Sequence, residues 1–521
     1  MKALQVLYLE SVSFSPIGFH SLPNLKTLYC VDCELENFSL SLKNMRSLEI
    51  LALIGTKIDE ISEELVKLST LKYLRLSGVG VEEEMNIPPN LVSRLTSLQE
   101  LHVVSKSNIN LLELNSLSRL TALSVILSTN QISQEYFVDD CYTYLKAQTL
   151  KTVTIANFSS SLTAFNNLFC NVKKLKLRNV SGQKNIVPSI GKTGVNELTS
   201  LKLASCKDME FLIDITSDQG PTVVFSNLVK LNIHNMVSWK GLCYGLSRSH
   251  RAIASLTRLR VVRIGSCHQL KTIFSPCVAQ SMLYIEKLFI FQCDGVEQVI
   301  GFAQEDEIPE SCKSLKYVCA STSTQGLQSL EFLHISHCPQ FMQIFNMEQN
   351  ENGQDIVLPG FRSQNYYWPK LKTLRIMDCP IFSCFIVQAR LLEGLVISNV
   401  GIIWKTYVPV LNEDCIVVEN HEEVFQVQGG YSFSRIKELD LKNLFEVRII
   451  WNDFVLSALR VLTVRDCPKL STSFFIDSQE YVHCKTKTPQ SVKQDAIQNP
   501  IFSKNINWNW RWVGSQLPYV T

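Results

Sequence analysis

The chain has 521 residues, 46% hydrophobic and 19% charged, which supplies enough apolar side chains for an extended core and excludes wholesale disorder. Fifty Lys and Arg against 48 Asp and Glu leave a net charge of +2, so there is no global electrostatic case for binding nucleic acid or an anionic membrane. No apolar run reaches the roughly 18 residues of a membrane span, and Ala3 to Leu9, cut off by Glu10, is too short for a signal peptide; a cytoplasmic location is expected.

From the N-terminus the pattern Leu-x-x-Leu-x-Leu appears at Leu4-Leu7-Leu9, in degenerate form at Leu25-Leu28-Cys30, and again at Leu48-Leu51-Leu53, Leu71-Leu74-Leu76 and Leu98-Leu101-Val103. With Leu120 these starts lie 21, 23, 23, 27 and 22 residues apart. The register continues at Leu150, Val172, Leu198, Leu228, Leu259, Ile285, Leu330, Leu371, Leu392, Ile436 and Leu459, giving about seventeen repeats, with Leu315 a doubtful extra. A period of 20 to 29 residues with this pattern is that of leucine-rich repeats. The expected fold is an α/β repeat solenoid over residues 1–470, a horseshoe with a parallel β-sheet on its concave face. Its convex segments are expected to be irregular or briefly helical, as at Ser62 to Leu68. Wider spacings imply inserted loops near 301–329, 346–369 and 405–435. Residues 471–521 read as a tail of low order, in which Trp508, Trp510 and Trp512 either cap the last repeat or belong to a poorly structured end.

Each repeat opens with a short strand whose second and third apolar residues face inward while their neighbours face out. Three residues after the third apolar position, a small polar group is needed to satisfy buried backbone at the turn. That position holds Cys33, Thr56, Cys206, Cys267, Cys293, Cys338, Cys379 and Cys467, so seven of the seventeen cysteines read as a buried, reduced ladder. Pro follows Cys338, Cys379 and Cys467 and stops the strand. Only Cys30 and Cys33 have metal-like spacing and no second pair completes a zinc site, so no metal is expected.

Catalysis and cofactors are not expected either. Gly191-Lys192-Thr193 resembles the end of a phosphate-binding loop, but Ile186 stands where the first glycine is required. His268, His337 and His483 adjoin Cys267, Cys338 and Cys484, yet neighbours along a strand point to opposite faces and cannot pair there. The run Glu305-Asp306-Glu307 reads as a solvated loop.

One constellation remains. The outward positions of the middle strands are Lys174, Lys176, Arg178, Lys202, Lys230, His234, Arg263, Lys287, Phe289, Phe291 and Phe332, whereas earlier strands present mostly neutral groups such as Val6, Tyr8, Tyr29, Ala52 and Ser124. A basic stripe ending in aromatics has the form of a binding face for an acidic protein. The alternative is that Lys and Arg keep a long parallel sheet soluble.

The repeats resemble the leucine-rich-repeat region of plant intracellular disease-resistance proteins of the coiled-coil, nucleotide-binding type. Carrying this are Met1-Lys2-Ala3-Leu4-Gln5-Val6-Leu7, Leu48 to Ile58, Ile87-Pro88-Pro89-Asn90-Leu91 through Leu101, Cys267 to Pro276 and Cys293 to Gly301. The resemblance implies a non-catalytic recognition and autoregulatory module whose partner is a pathogen effector, a guarded host protein or the receptor's own nucleotide-binding module. No nucleic acid or membrane span is implied. The coiled coil and nucleotide switch of that family are missing, so the chain reads as a fragment or truncated product. The competing expectation is a substrate-recruiting adaptor of a ubiquitin ligase, which would require an F-box-like segment ahead of the repeats.

Overall fold

The computed structural model describes residues 3–14, 22–126, 151–159, 171–214, 223–244, 256–274, 284–300, 327–345, 370–382, 391–400, 406–409, 415–418, 435–445 and 454–486, apart from short breaks inside some of these ranges. A strand begins two residues after every expected repeat start. In chain order these are β1 (Val6–Glu10), β2 (Thr27–Val31), β3 (Ile50–Ile54), β4 (Tyr73–Ser77), β5 (Glu100–Ser107), β6 (Ala122–Ile126), β7 (Thr152–Ala156) and β8 (Lys174–Arg178). They continue as β9 (Ser200–Ala204), β10 (Lys230–His234), β11 (Val261–Gly265), β12 (Lys287–Phe291), β13 (Phe332–Ser336), β14 (Thr373–Cys379), β15 (Gly394–Val400), β16 (Glu438–Lys442) and β17 (Val461–Arg465). Leu315 lies outside the described residues.

Each strand pairs in parallel with the next, leucine opposite leucine, as in Leu175↔Leu201↔Leu231. With the two-residue strand Glu84–Met85 beside β5 they make one 18-stranded sheet. Two inward residues per strand are too few for a core within one repeat. Stacking joins them into a single apolar cluster that runs from Leu22 to Leu456.

The sixth residue counted from the start of fourteen of these strands changes the pattern. Strict alternation would turn it inward; instead it takes a left-handed conformation, at Ser11, Asp32, Gly55, Asn157, Asn179, Ser205, Asn235, Ser266, Gln292, His337, Asp378, Asn399, Asn443 and Asp466, with φ between 50° and 59°. Short polar side chains and glycine tolerate this region best. Its N–H donates to the carbonyl that ends the neighbouring strand, as from Ser205 to His234 and from Asn235 to Gly265. The kink turns the following position inward, which is where the ladder cysteines stand.

All eight expected ladder positions are buried except Cys467, which is half-buried, and the cysteines among them are free thiols. Each Sγ lies 3.3 to 3.5 Å from the carbonyl two residues back, for example Cys338 to Ser336 and Cys206 to Ala204. Thr56 Oγ1 does the same with Ile54 at 3.2 Å, and also donates to Cys30 O at 3.0 Å. The neighbouring thiol and burial raise the pKa of Cys293 and of Cys379, while burial lifts that of Cys30 to about 12.

The convex side carries the expected helical turns and short strands besides. Single helical turns are present, such as Glu63–Lys67, capped by Ser62 Oγ accepting from the N–H of Glu64 at 3.1 Å. Short second strands also pair in parallel in three groups of three. These are Ser13–Phe14, Glu34–Leu35 and Lys57–Ile58; Asn185–Val187, Phe211–Asp214 and Gly241–Tyr244; and Thr272–Phe274, Gln298–Ile300 and Gln343–Phe345. Repeats stacked in register bring equivalent backbone together here too, and two to four residues are too few for alternation to show in the sequence.

The tail also needs correction in its first part. Thr472–Ile476 and Val482–Thr486 form an antiparallel hairpin, with Phe454–Leu456 pairing on the second strand. Asp477 closes it, accepting from the N–H groups of Gln479 and Tyr481 at 2.9 Å. Residues 487–521, with the tryptophans, lie outside the described residues, as do 301–326 and 346–369; the 405–435 insert carries the antiparallel pair Thr406–Pro409 and Cys415–Val418.

Candidate functional site

Strand alternation leaves three outward rows on the concave face, set by the first, third and fifth residue of each strand. All eleven residues singled out from the sequence lie in these rows. The first row carries Lys174, Lys230, Lys287 and Phe332; the third carries Lys176, Lys202, Arg263 and Phe289; the fifth carries Arg178, His234 and Phe291. Lys174, Arg178, Lys230, His234, Arg263 and Lys287 are exposed, while Lys176, Lys202, Phe289, Phe291 and Phe332 are half-buried.

Over β8 to β12 these rows hold seven cations and no carboxylate. Lys176 stands directly opposite Lys202 in the register. Burial, helped by Lys202 and Arg178, lowers the pKa of Lys176. The row just ahead of the strands is arranged differently. There Glu49 bridges Lys26 at 3.5 Å and Lys72 at 2.7 Å, Arg260 pairs with Glu286, Glu331 with Lys372 and Glu393 with Lys437. Charge on that edge is neutralised between repeats, and on the middle concave face it is not.

The aromatic side chains form a connected floor. Arg263 lies 4.6 Å over the Phe289 ring, and Phe289 packs on Phe332 with centroids 4.9 Å apart. Phe291 reaches His234, two strands away, at 5.8 Å. It does so across Gly265, where a Cβ would sit 2.1 Å from the Phe291 ring, so glycine is what lets that ring lie down. Burial holds the pKa of His234 below the ordinary histidine value, and Lys202 adds to this.

Several participants were not anticipated. His334, in the third row of β13, joins the floor against Phe289 and Phe332 at 6.4 and 6.5 Å, with Nε2 3.1 Å from Ser336 Oγ. It occupies the same register row as Lys176, which is the signal that would have found it. Beyond it, Arg375 reaches over β15 to Glu438 at 3.2 Å, and Lys442 pairs with Asp440 at 2.7 Å. The early strands are less plain than expected: Arg75 and the pair His102 and Glu100, 3.3 Å apart, share their face. Ala52 is a correction. It occupies an outward row but is fully buried, a small side chain between Tyr29 and Arg75 in the register.

His268 and His337 do not form nucleophile and base pairs with their cysteine neighbours. His268 pairs with Asp294 at 2.9 Å and His337 with Asp378 at 3.2 Å on the exposed strand-exit edge, while Cys267 and Cys338 turn into the core. His483 contacts Asp477. No group of three or more potential metal ligands occurs among the described residues, and none of their helices is long and apolar enough to cross a membrane. Gly191-Lys192-Thr193 lies outside the described residues.

The strand ladder and the inward cysteine and leucine rows define a leucine-rich-repeat solenoid. A family profile described as a leucine-rich repeat region matches residues 1–212, and one described as plant disease resistance protein RPS2-like leucine-rich repeats matches residues 138–294. The chain has the leucine-rich-repeat fold, and its residues 138–294 are similar to repeats of the plant disease-resistance type. It is 23% identical over 323 residues to a disease resistance protein of Arabidopsis thaliana, covering 55% of this chain and 32% of that protein. It is 28% identical over 213 residues to adenylate cyclase of Schizosaccharomyces pombe, covering 39% of this chain and 11% of that protein. The chain thus spans a third or less of these relatives. Among solved structures, the functional domain of InlJ from Listeria monocytogenes aligns at 11% identity over 93% of this chain and 85% of its own, with a TM-score of 0.40. The ectodomain of the Arabidopsis receptor kinase HAESA aligns at 15% identity over 86% of this chain and 69% of its own, with a TM-score of 0.38.

Proposed function

We propose that this chain is the non-catalytic recognition and autoregulatory module of a plant intracellular immune receptor, and that the concave face over β8 to β13 is its contact surface for an acidic protein partner. The partner is a pathogen effector, a guarded host protein, or the nucleotide-binding module of a full-length receptor. The disease-resistance type of the repeats supports the setting, and a cytoplasmic location goes with it.

One observation carries the choice of surface: seven cations on five neighbouring strands without a carboxylate among them. Like charges directly opposite each other in a sheet are destabilising, so Lys176 opposite Lys202 is a cost that folding alone does not explain. Solubility would be served as well by alternating signs, the arrangement of the neighbouring edge row.

The test compares the full chain with the triple variant Lys176→Glu, Lys202→Glu, Arg263→Glu for binding to a fluorescent polyglutamate probe across a salt titration. Loss of affinity and of salt dependence in a variant with unchanged circular dichroism is the expected result. An unchanged affinity would return these lysines to a solubility role.

A further inference from the structure

The binding face is bounded at both ends and differs along its length. On its upstream side β7 presents Thr152 and Thr154, with Ala156 buried at its end. Downstream, charges resume as the internal pairs Arg375 with Glu438 and Lys442 with Asp440, with Arg465 exposed on the last strand. Between these limits cations crowd at one end, with Lys174, Lys176, Arg178 and Lys202 on β8 and β9. The aromatic floor occupies the other, with Phe289, Phe291, Phe332 and His334 on β12 and β13 and the bare backbone of Gly265 beneath the Phe291 ring. Two and a half strand intervals of about 4.8 Å separate the middle of the first group from the Gly265 region, a distance of about 12 Å. An extended chain covers that in about four residues.

Resting on the reading that this face takes an acidic protein, we infer that its occupant is one extended segment laid along the solenoid axis, acidic over β8 and β9, with an apolar or aromatic side chain about four residues away on the floor around Gly265. Charge complementarity places the acidic end. The floor places the apolar one, because an aromatic side chain gains from edge or offset contact with Phe289 and Phe291, rings that offer an acidic side chain no such contact. A single-stranded nucleic acid also combines anions with stacking groups, but its phosphates are evenly spaced, whereas four of the seven cations sit on the first two of five strands.

The probes are three fluorescein-labelled hexapeptides and a labelled oligothymidylate, measured by anisotropy against the full chain. The first peptide is Asp-Glu-Asp-Ser-Gly-Phe, the second places Phe directly after the acids, and the third replaces Phe with Ser. The first is expected to bind about fivefold tighter than the other two. Gly265→Leu, which displaces the Phe291 ring, and Phe289→Ser, which leaves the buried rows untouched, should each bring the first peptide down to the affinity of the third without changing the third. Charge reversal at Lys176 and Lys202 should weaken all three peptides. Equal affinity for the first two peptides, with charge reversal still effective, would overturn the spaced-segment inference while leaving the acidic-partner reading in place. If charge reversal weakened none of them, both would fall. Tighter binding of oligothymidylate than of any peptide would show that the partner class is wrong.

Discussion

At the residue scale, the ladder cysteine and the polar residue before it act as a pair. The left-handed residue turns the chain, and the thiol that follows fills the core while facing the carbonyl two residues back. Cys338→Asp should destabilise the chain by about 3 to 5 kcal/mol, because it buries an uncompensated charge, whereas Cys338→Thr, with a hydroxyl as at Thr56, should cost about 1 kcal/mol or less; urea unfolding distinguishes them. The histidines of the floor add a pH dependence. Burial lowers the pKa of both His234 and His334, with Lys202 beside the first and Arg375 beside the second. As pH falls through the ordinary value of 6.5 the unfolded chain takes up these protons first, so their effect on stability is nil above that value and unfavourable below it. The fall in melting temperature between about pH 7 and about pH 5.5 should be shallower in the double variant His234→Gln, His334→Gln than in the parent; equal slopes by scanning calorimetry would show that these rings titrate as if in water.

At the element scale, the repeat starts were legible because the leucine spacing imposes both the strand and its register. Each start from Leu4 to Leu459 is followed by its strand, including the degenerate Leu25-Leu28-Cys30 copy. Outward placement of the basic and aromatic residues was legible for the same reason, since alternation has only two outcomes. What escaped was set by contacts between repeats. The outer strands are too short to carry a period, Ala52 is covered by its row neighbours, and the ring of Phe291 lies across Gly265 because of a missing side chain one strand away. The hairpin at Thr472–Thr486 pairs antiparallel and carries no repeat signal at all. Row-level charge also yields a prediction. Lys202→Glu places a carboxylate opposite Lys176 and should leave stability unchanged or raise it by about 0.2 to 1 kcal/mol, while binding to an acidic probe falls. Such a variant, more stable and less able to bind, is the signature of charge retained for function; a drop in stability would favour a structural role for Lys202.

At the scale of the whole molecule, the solenoid is a sum of repeats and the interfaces between them, so damage in the middle divides it. Leu231→Ala removes a fully buried side chain from β10 and should cost about 2 to 5 kcal/mol, with hydrogen exchange accelerating in the neighbouring repeats before the distant ones. Exchange rising uniformly along the chain would indicate one cooperative unit instead. The recognition face is likewise a property of the assembly. Residues from Lys174 to Phe332, 158 positions apart in sequence, become one surface only because six strands stack in register.

That surface is tested most directly by zero-length carbodiimide cross-linking of the full chain to the acidic hexapeptide, with each lysine's yield read by mass spectrometry. The account predicts that cross-links concentrate at Lys174, Lys176, Lys202, Lys230 and Lys287, well above the exposed lysines Lys43, Lys207 and Lys271 that lie off the face. Yields that simply follow exposure, with Lys43, Lys207 and Lys271 marked as strongly as the concave lysines, would contradict it.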